Sequence, residues 1–146
     1  MKKTLLALGL LATSLFGGEP YKALFDCSSG DMKFVASRIW LIQKTADQLL
    51  EEKEPYDFVV TIHSGCTPIV AADPSGYPEA DRLEGIQMQM ETLAEEYGVK
   101  FVACGIAAQR YALGKEDLLP FVTTVPNSIT EAIRLQNQGY ALIPFN

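Results

Sequence analysis

The residues of this chain best suited to chemistry are its three cysteines, Cys27, Cys66 and Cys104, and its single histidine, His63. A thiolate is a nucleophile and a soft-metal ligand, and an imidazole titrates near neutrality. Cys104 closes the apolar run Val99-Lys100-Phe101-Val102-Ala103 and is followed by Gly105. Cys66 lies between Gly65 and Thr67, three residues after His63, and Cys27 precedes Ser28-Ser29-Gly30. Each of the four falls at or just past the end of an expected strand. In an open α/β sheet, ligands and chemistry collect at the carboxyl ends of the strands. Neighbouring strands lie about 4.8 Å apart, so these groups share one rim if the first three strands are neighbours. A thiol there is close to the start of the next helix, whose free amides and dipole favour thiolate. Such a cysteine can accept and hand on a sulfur atom, or exchange disulfides.

Each residue also has a plainer reading. Free cysteine is often a small core side chain, which for Cys104 stands beside the functional reading. Cys66, in a loop, is expected to be exposed, with function or a disulfide as its roles. Cys27 reads as structural or disulfide-bonded. His63 and Cys66 together give an H-x-x-C spacing, half of a soft-metal site; the plainer reading of His63 is a hydrogen bonder that anchors a loop. Arg110 could bind an anion or could line a solvated helix face. Glu51-Glu52 and Glu95-Glu96 read as solvated faces.

Other chemistries find no support. There is no GxGxxG after the first strand and no GxxxxGK[ST], so dinucleotide and nucleoside triphosphate binding lack their fingerprints. There is no GxSxG, no HExxH and no CxxC. No resident cofactor or metal is expected. The net charge of −6, with no basic run, argues against nucleic acid as a partner. At 146 residues and 48% hydrophobic content, the chain can build one domain with a sizeable core.

Residues 1–18 read as a secretory signal peptide and 19–146 as the mature domain. Lys2 and Lys3 form the basic start, Leu5 to Phe16 a mostly apolar run too short to span a bilayer, and Gly17-Gly18 the small residues before cleavage. Loss of two lysines and no acid takes the charge from −6 to −8. A periplasmic or otherwise exported location follows, with no membrane contact after removal of the leader. An oxidising destination permits a disulfide, and three cysteines leave at least one without a partner.

The elements that must position these groups follow from periodicity. Strands are expected at Tyr21–Phe25, Phe58–His63, Val99–Cys104, Val122–Val125 and Tyr140–Pro144. A helix is expected from Asp31 to Lys53, with Val35, Ile39, Ile42, Ala46 and Leu49 on one stripe, and another from Asp81 to Tyr97, stopped by Gly98. A short helical turn is expected at Ile69–Ala72 and helix again at Ile106–Leu113. Ser128 and Glu131 have the spacing of a capping box for a last helix running to Gln138. Alternating strands and helices call for a single domain with a mostly parallel five-stranded sheet and helices on both faces.

Phe101-Val102-Ala103-Cys104-Gly105 resembles the DsrE/DsrF-like family, which includes YchN-like proteins. The likeness continues through Glu116-Asp117-Leu118-Leu119-Pro120, Val125-Pro126-Asn127-Ser128 and Ile133 to Tyr140. Val59-Val60-Thr61-Ile62-His63-Ser64-Gly65 is similar to the family's strand with its His-containing turn. The resemblance implies a three-layer α/β/α domain and a homo-oligomer, commonly a trimer or hexamer. It also implies sulfur-relay chemistry, in which a cysteine, here Cys104, carries a persulfide between donor and acceptor proteins in a sulfurtransferase-like role. On that reading Cys66 would resolve or receive the sulfur and His63 would assist proton transfer. The competing expectation is a non-catalytic oligomeric binding or assembly module with structural cysteines. A third is soft-metal binding at His63 and Cys66.

Overall fold

The computed structural model describes residues 18–146, so the leader expected over 1–18 lies outside the described residues except for Gly18. The chain runs β1 (Tyr21–Cys27), α1 (Met32–Glu51), β2 (Tyr56–Ile62), a 3-10 segment (Ser64–Val70), α2 (Ala80–Tyr97), β3 (Lys100–Cys104), α3 (Gly105–Arg110), a 3-10 turn (Lys115–Asp117), β4 (Val122–Val125), α4 (Ser128–Asn137) and β5 (Ala141–Phe145). The five strands form one sheet in the order β4-β3-β2-β1-β5, and all four pairings are parallel.

That order explains the layers. From β1 to β4 the chain steps in one direction, and right-handed crossovers keep those helices on one face. The β4-to-β5 connection returns across the whole sheet, so its helix, α4, lies on the other face. Side chains alternate between the two faces. On one side Phe25, Phe58, Val60, Ile62, Phe101 and Ala103 pack with α1 and α2 in the main core. On the other, Leu24, Val59 and Val102 meet Leu135 of α4 in a small second cluster.

The helices form where the apolar spacing placed them. Asp31 caps α1 by accepting from the amides of Lys33 and Phe34. Val35, Ile39, Ile42 and Ala46 are fully buried, each large aliphatic side chain contributing about 1.5–3 kcal/mol before entropy is counted. Leu49, also expected on that stripe, is partly buried at its edge. In α2 the same role falls to Leu83, Ile86, Met90 and Leu93, and Gly98 ends the helix at φ 68°. Pro144 stands in β5, which is an edge strand, where its missing N–H can be tolerated. No described helix is long and apolar enough to cross a membrane.

Three local expectations need correction. The helical turn placed at Ile69–Ala72 is a 3-10 segment that begins at Ser64 and ends at Val70. It carries Cys66 down into the main core, where it is fully buried, rather than leaving it in an exposed loop. The cap of α4 is Asn127, whose side chain accepts from the Ile129 amide; Ser128 is already the first helical residue. Its hydroxyl is thereby released from capping.

Candidate functional site

Strand alternation sorts the sequence-predicted residues onto opposite faces of the sheet at its carboxyl end. Cys27 and Ile62 point toward α1 and α2 with Phe25 and Val60. Asp26, Thr61, His63 and Cys104 share the parity of Leu24, Val59 and Val102, and so belong to the α4 face.

On the first face Cys27 and Cys66 form a disulfide. Two turns make this pairing sterically accessible. A Cβ on Gly65 would sit 2.7 Å from the Gly30 nitrogen and 2.8 Å from its Cα. Only glycine at 65 lets the loop after β1 and the loop after β2 approach so closely. The backbone seals the junction, with the Gly65 amide donating to the Ser28 carbonyl and the His63 amide to the Cys27 carbonyl. The expectation that Cys66 acts as a second thiol beside Cys104 is therefore corrected: its sulfur is bonded to Cys27 and enclosed in the core. The same bond takes away the thiolate that a His63/Cys66 metal site would need. Among the described residues no group of three or more His, Cys, Asp or Glu side chains is arranged to hold a metal.

On the α4 face the register of β1 and β2 sets Asp26 opposite Thr61. The Thr61 hydroxyl donates to Asp26 Oδ1 at 2.6 Å. His63, two residues beyond Thr61, places Nε2 3.1 and 3.2 Å from the two Asp26 oxygens. Its Nδ1 lies 2.9 Å from Ser64 Oγ. The hydrogen bond to Asp26 raises the His63 pKa against the opposing effect of burial, and the charges of Asp26 and Cys104 add to the rise. For Asp26, burial alone would raise the pKa; the hydrogen bonds from His63 and Thr61 outweigh it and hold the carboxyl below its usual range. Above that range, and below the His63 pKa, the pair is an imidazolium–carboxylate.

Cys104 is the free thiol of the described residues. It is 6% exposed, and its backbone caps α3. Its sulfur accepts from the Ser128 amide at 3.4 Å. Burial pushes the thiol pKa up, but it is outweighed by hydrogen bonds from the Ser128 hydroxyl and amide and from the Ala107 and Ile106 amides, and the net movement is down. The starts of two helices thus converge on one sulfur. Next to it opens a cavity of about 480 Å³. His63, Ser64, Arg110, Asn127 and Ser128 form its polar wall, and Ile106, Ala107, Tyr111 and Ile129 its apolar wall. A second cavity of about 520 Å³, lined by Gly98, Lys100, Leu135 and Tyr140, contains neither thiol nor imidazole.

The family model for DsrE/DsrF-like proteins matches residues 22–145, nearly the whole described domain. The chain belongs to the DsrE/DsrF-like family. An uncharacterized protein of Aquifex aeolicus (strain VF5) is 48% identical over 147 residues, covering 99% of this chain. The chain spans about 64% of the length of that curated relative. Among solved structures, a protein of unknown function, MTH1491, from Methanobacterium thermoautotrophicum superposes with a TM-score of 0.67, over 85% of this chain and 98% of its own. At 22% identity that likeness concerns the fold, which is the three-layer α/β arrangement expected from the sequence.

Within this DsrE/DsrF-like domain, then, Cys104 and His63 come together on one cavity and Cys66 does not join them. Arg110 does line the cavity, and among the described residues it makes no ion pair. Three participants were missed. Asp26 falls just past the strand expected at Tyr21–Phe25, yet it is the penultimate residue of β1. Ser64 lay in the His-containing turn without a role of its own, and Ser128 was assigned to capping. The available signal was parity, since Thr61 and His63 must lie on one face of any strand that contains both.

Proposed function

We propose that this DsrE/DsrF-like protein is a sulfur carrier in which Cys104 holds the transferred atom as a persulfide. The observation that carries the reading is the placement of a thiol of lowered pKa on an open cavity shared with an imidazole whose pKa is raised by its bond to Asp26. As thiolate, Cys104 attacks the terminal sulfur of a sulfane donor. The S–S bond of the donor breaks as the Cys104 Sγ–S bond forms, and the electron pair leaves with the donor's inner sulfur. An acceptor thiol later reverses the process. The Cys27–Cys66 disulfide supports the expected export, because such bonds persist in oxidising compartments. A mature amino terminus at Met1 in protein recovered from cells would contradict export.

The test is mass spectrometry of the native protein after incubation with inorganic polysulfide. A sulfur-sized addition is expected on the wild type and is expected to vanish in Cys104→Ser. An addition that survives in the variant, or none in the wild type, overturns the assignment. The second reading, an assembly module without chemistry, is supported by the exposed Ile129 and Ile133 of α4, at 65% and 56%. A Cys104 that stays unloaded and resists alkylation would leave that reading standing.

A further inference from the structure

We infer that Ser64 is the group that protonates the leaving sulfur, with His63 and Asp26 acting through it. The inference rests on Cys104 being the nucleophile, and it adds a residue that neither the family match nor the sequence motifs assign. Both nitrogens of His63 are already engaged. Nε2 faces the Asp26 carboxylate, and Nδ1 faces Ser64 Oγ at 2.9 Å. As imidazolium, His63 donates from both, and no N–H remains to reach a substrate directly. The Ser64 hydroxyl is the next atom in the chain, and Ser64 lines the cavity that Cys104 borders. Thr61, Asp26, His63 and Ser64 thus form a continuous line of hydrogen bonds from the sheet to the cavity.

The backbone at Ser64 fits a functional placement. Its φ is 51°, in the left-handed region where glycine is favoured and serine is uncommon. If only the turn mattered, glycine would serve at lower conformational cost. The residue present instead keeps a hydroxyl at the point where the imidazole ends and the cavity begins.

The step balances as follows. The Cys104 thiolate attacks R–S–SH, forming Cys104–S–SH and releasing RS⁻. Ser64 passes its hydroxyl proton to RS⁻ and takes the Nδ1 proton of His63. The products are RSH, the Cys104 persulfide and a neutral imidazole, which regains a proton from water. With a disulfide R–S–S–R the products are the Cys104 mixed disulfide and RSH, and the same leaving group is protonated. Help of this kind matters for alkyl thiolates, which are basic, and little for aromatic thiolates, which leave unaided.

The experiment therefore varies the leaving group. Single-turnover formation of the Cys104 mixed disulfide is followed by mass spectrometry with a series of small disulfides, from aromatic to alkyl. Ser64→Gly suits φ 51° and keeps the backbone unstrained. It is expected to slow reaction with alkyl disulfides on the order of 10²-fold while changing the aromatic rate by about twofold or less. Asp26→Asn supplies the second readout. The charged groups that act on His63 are Asp26 on β1 and Cys104 on β3, and Arg110 on α3 lines the same cavity. Removing the Asp26 charge lowers the His63 pKa, so the high-pH decline of the alkyl-disulfide rate moves to lower pH. A Ser64→Gly protein with the wild-type dependence on leaving group overturns the inference, as does an Asp26→Asn protein whose high-pH limb stays in place. Polysulfide loading of the wild type is measured alongside. If loading fails, the carrier reading falls, whereas the disulfide series still decides the part played by Ser64.

Discussion

Asp26 and Cys27 are adjacent in β1, yet they serve opposite sides of the molecule. Cys27 turns into the core beneath α1, meets Cys66 and is fully buried as a disulfide. Asp26 turns toward α4, meets His63 and stays in partial contact with solvent. Two thiols on one face are spent on a covalent tie, and one on the other face is kept free, lowered in pKa and open to a cavity. The comparison teaches that the chemistry of a cysteine at a strand end is set by which face it takes. The same strand ends, one residue apart in parity, give a structural bond or a nucleophile. If the two faces are independent, each can be broken without the other.

The largest expected effect is on the structural face. The disulfide spans 39 residues in sequence, and closing a loop of that size is worth about 3–4 kcal/mol in the chain-entropy picture. Cys27→Ala combined with Cys66→Ala is expected to lose about that much in guanidinium unfolding without reductant. The alkylation rate of Cys104 is expected to stay within about twofold of wild type, because the disulfide and the thiol lie on opposite faces of the sheet and meet only through the backbone around His63. A large fall in Cys104 reactivity would show that the tie also shapes the cavity.

The sequence made the frame legible because the frame is local. Val35, Ile39, Ile42 and Ala46 recur at helical spacing whatever lies around them, and Gly98 marks a helix end by its own conformation. The run Phe101 to Cys104 had to be a strand buried on both sides. What could not be read is what depends on two distant segments. Cys66 was expected to be exposed because its neighbours are loop formers; the approach of Gly30 to Gly65 that draws it into the core involves residues 35 positions apart. Asp26 gained its meaning only from the register that sets it against Thr61. Ser128 was misread by a single position, because Asn127 takes the cap and frees the serine for the sulfur.

That freed serine gives the next sharpest test of the α4 face. Its hydroxyl and amide both bond Cys104, and Ser128→Ala removes the hydroxyl while keeping the helix. A hydrogen bond to a charged group is worth about 1.5–3 kcal/mol, so losing it is expected to move the midpoint of the pH–alkylation curve upward by about one pH unit or more. Stability should change little, since the Asn127 cap is untouched. An unmoved midpoint would mean that the amides at the starts of α3 and α4 hold the thiolate without the hydroxyl.

The smallest effect concerns the Asp26–His63 pair, and its sign is fixed by two opposite shifts. The His63 pKa is raised above 6.5, so its contribution to folding is full below that value and is lost as pH rises through the folded pKa. The Asp26 pKa is lowered below 3.8, so its contribution is full above that value and is lost as pH falls through the folded pKa. Both are present together between 3.8 and 6.5. Since the two side chains keep some solvent contact, the pair is worth about 1 kcal/mol at most. The stability difference between wild type and Asp26→Asn should be greatest near about pH 5.5 and shrink toward about pH 8.5. Cys104 gains from rising pH in both proteins, so its effect largely cancels in the difference. A difference that stays flat from about pH 5.5 to about pH 8.5 would mean that Asp26 is held by Thr61 rather than by the imidazole, and the α4 face would lose the charged partner that separates it from the disulfide side.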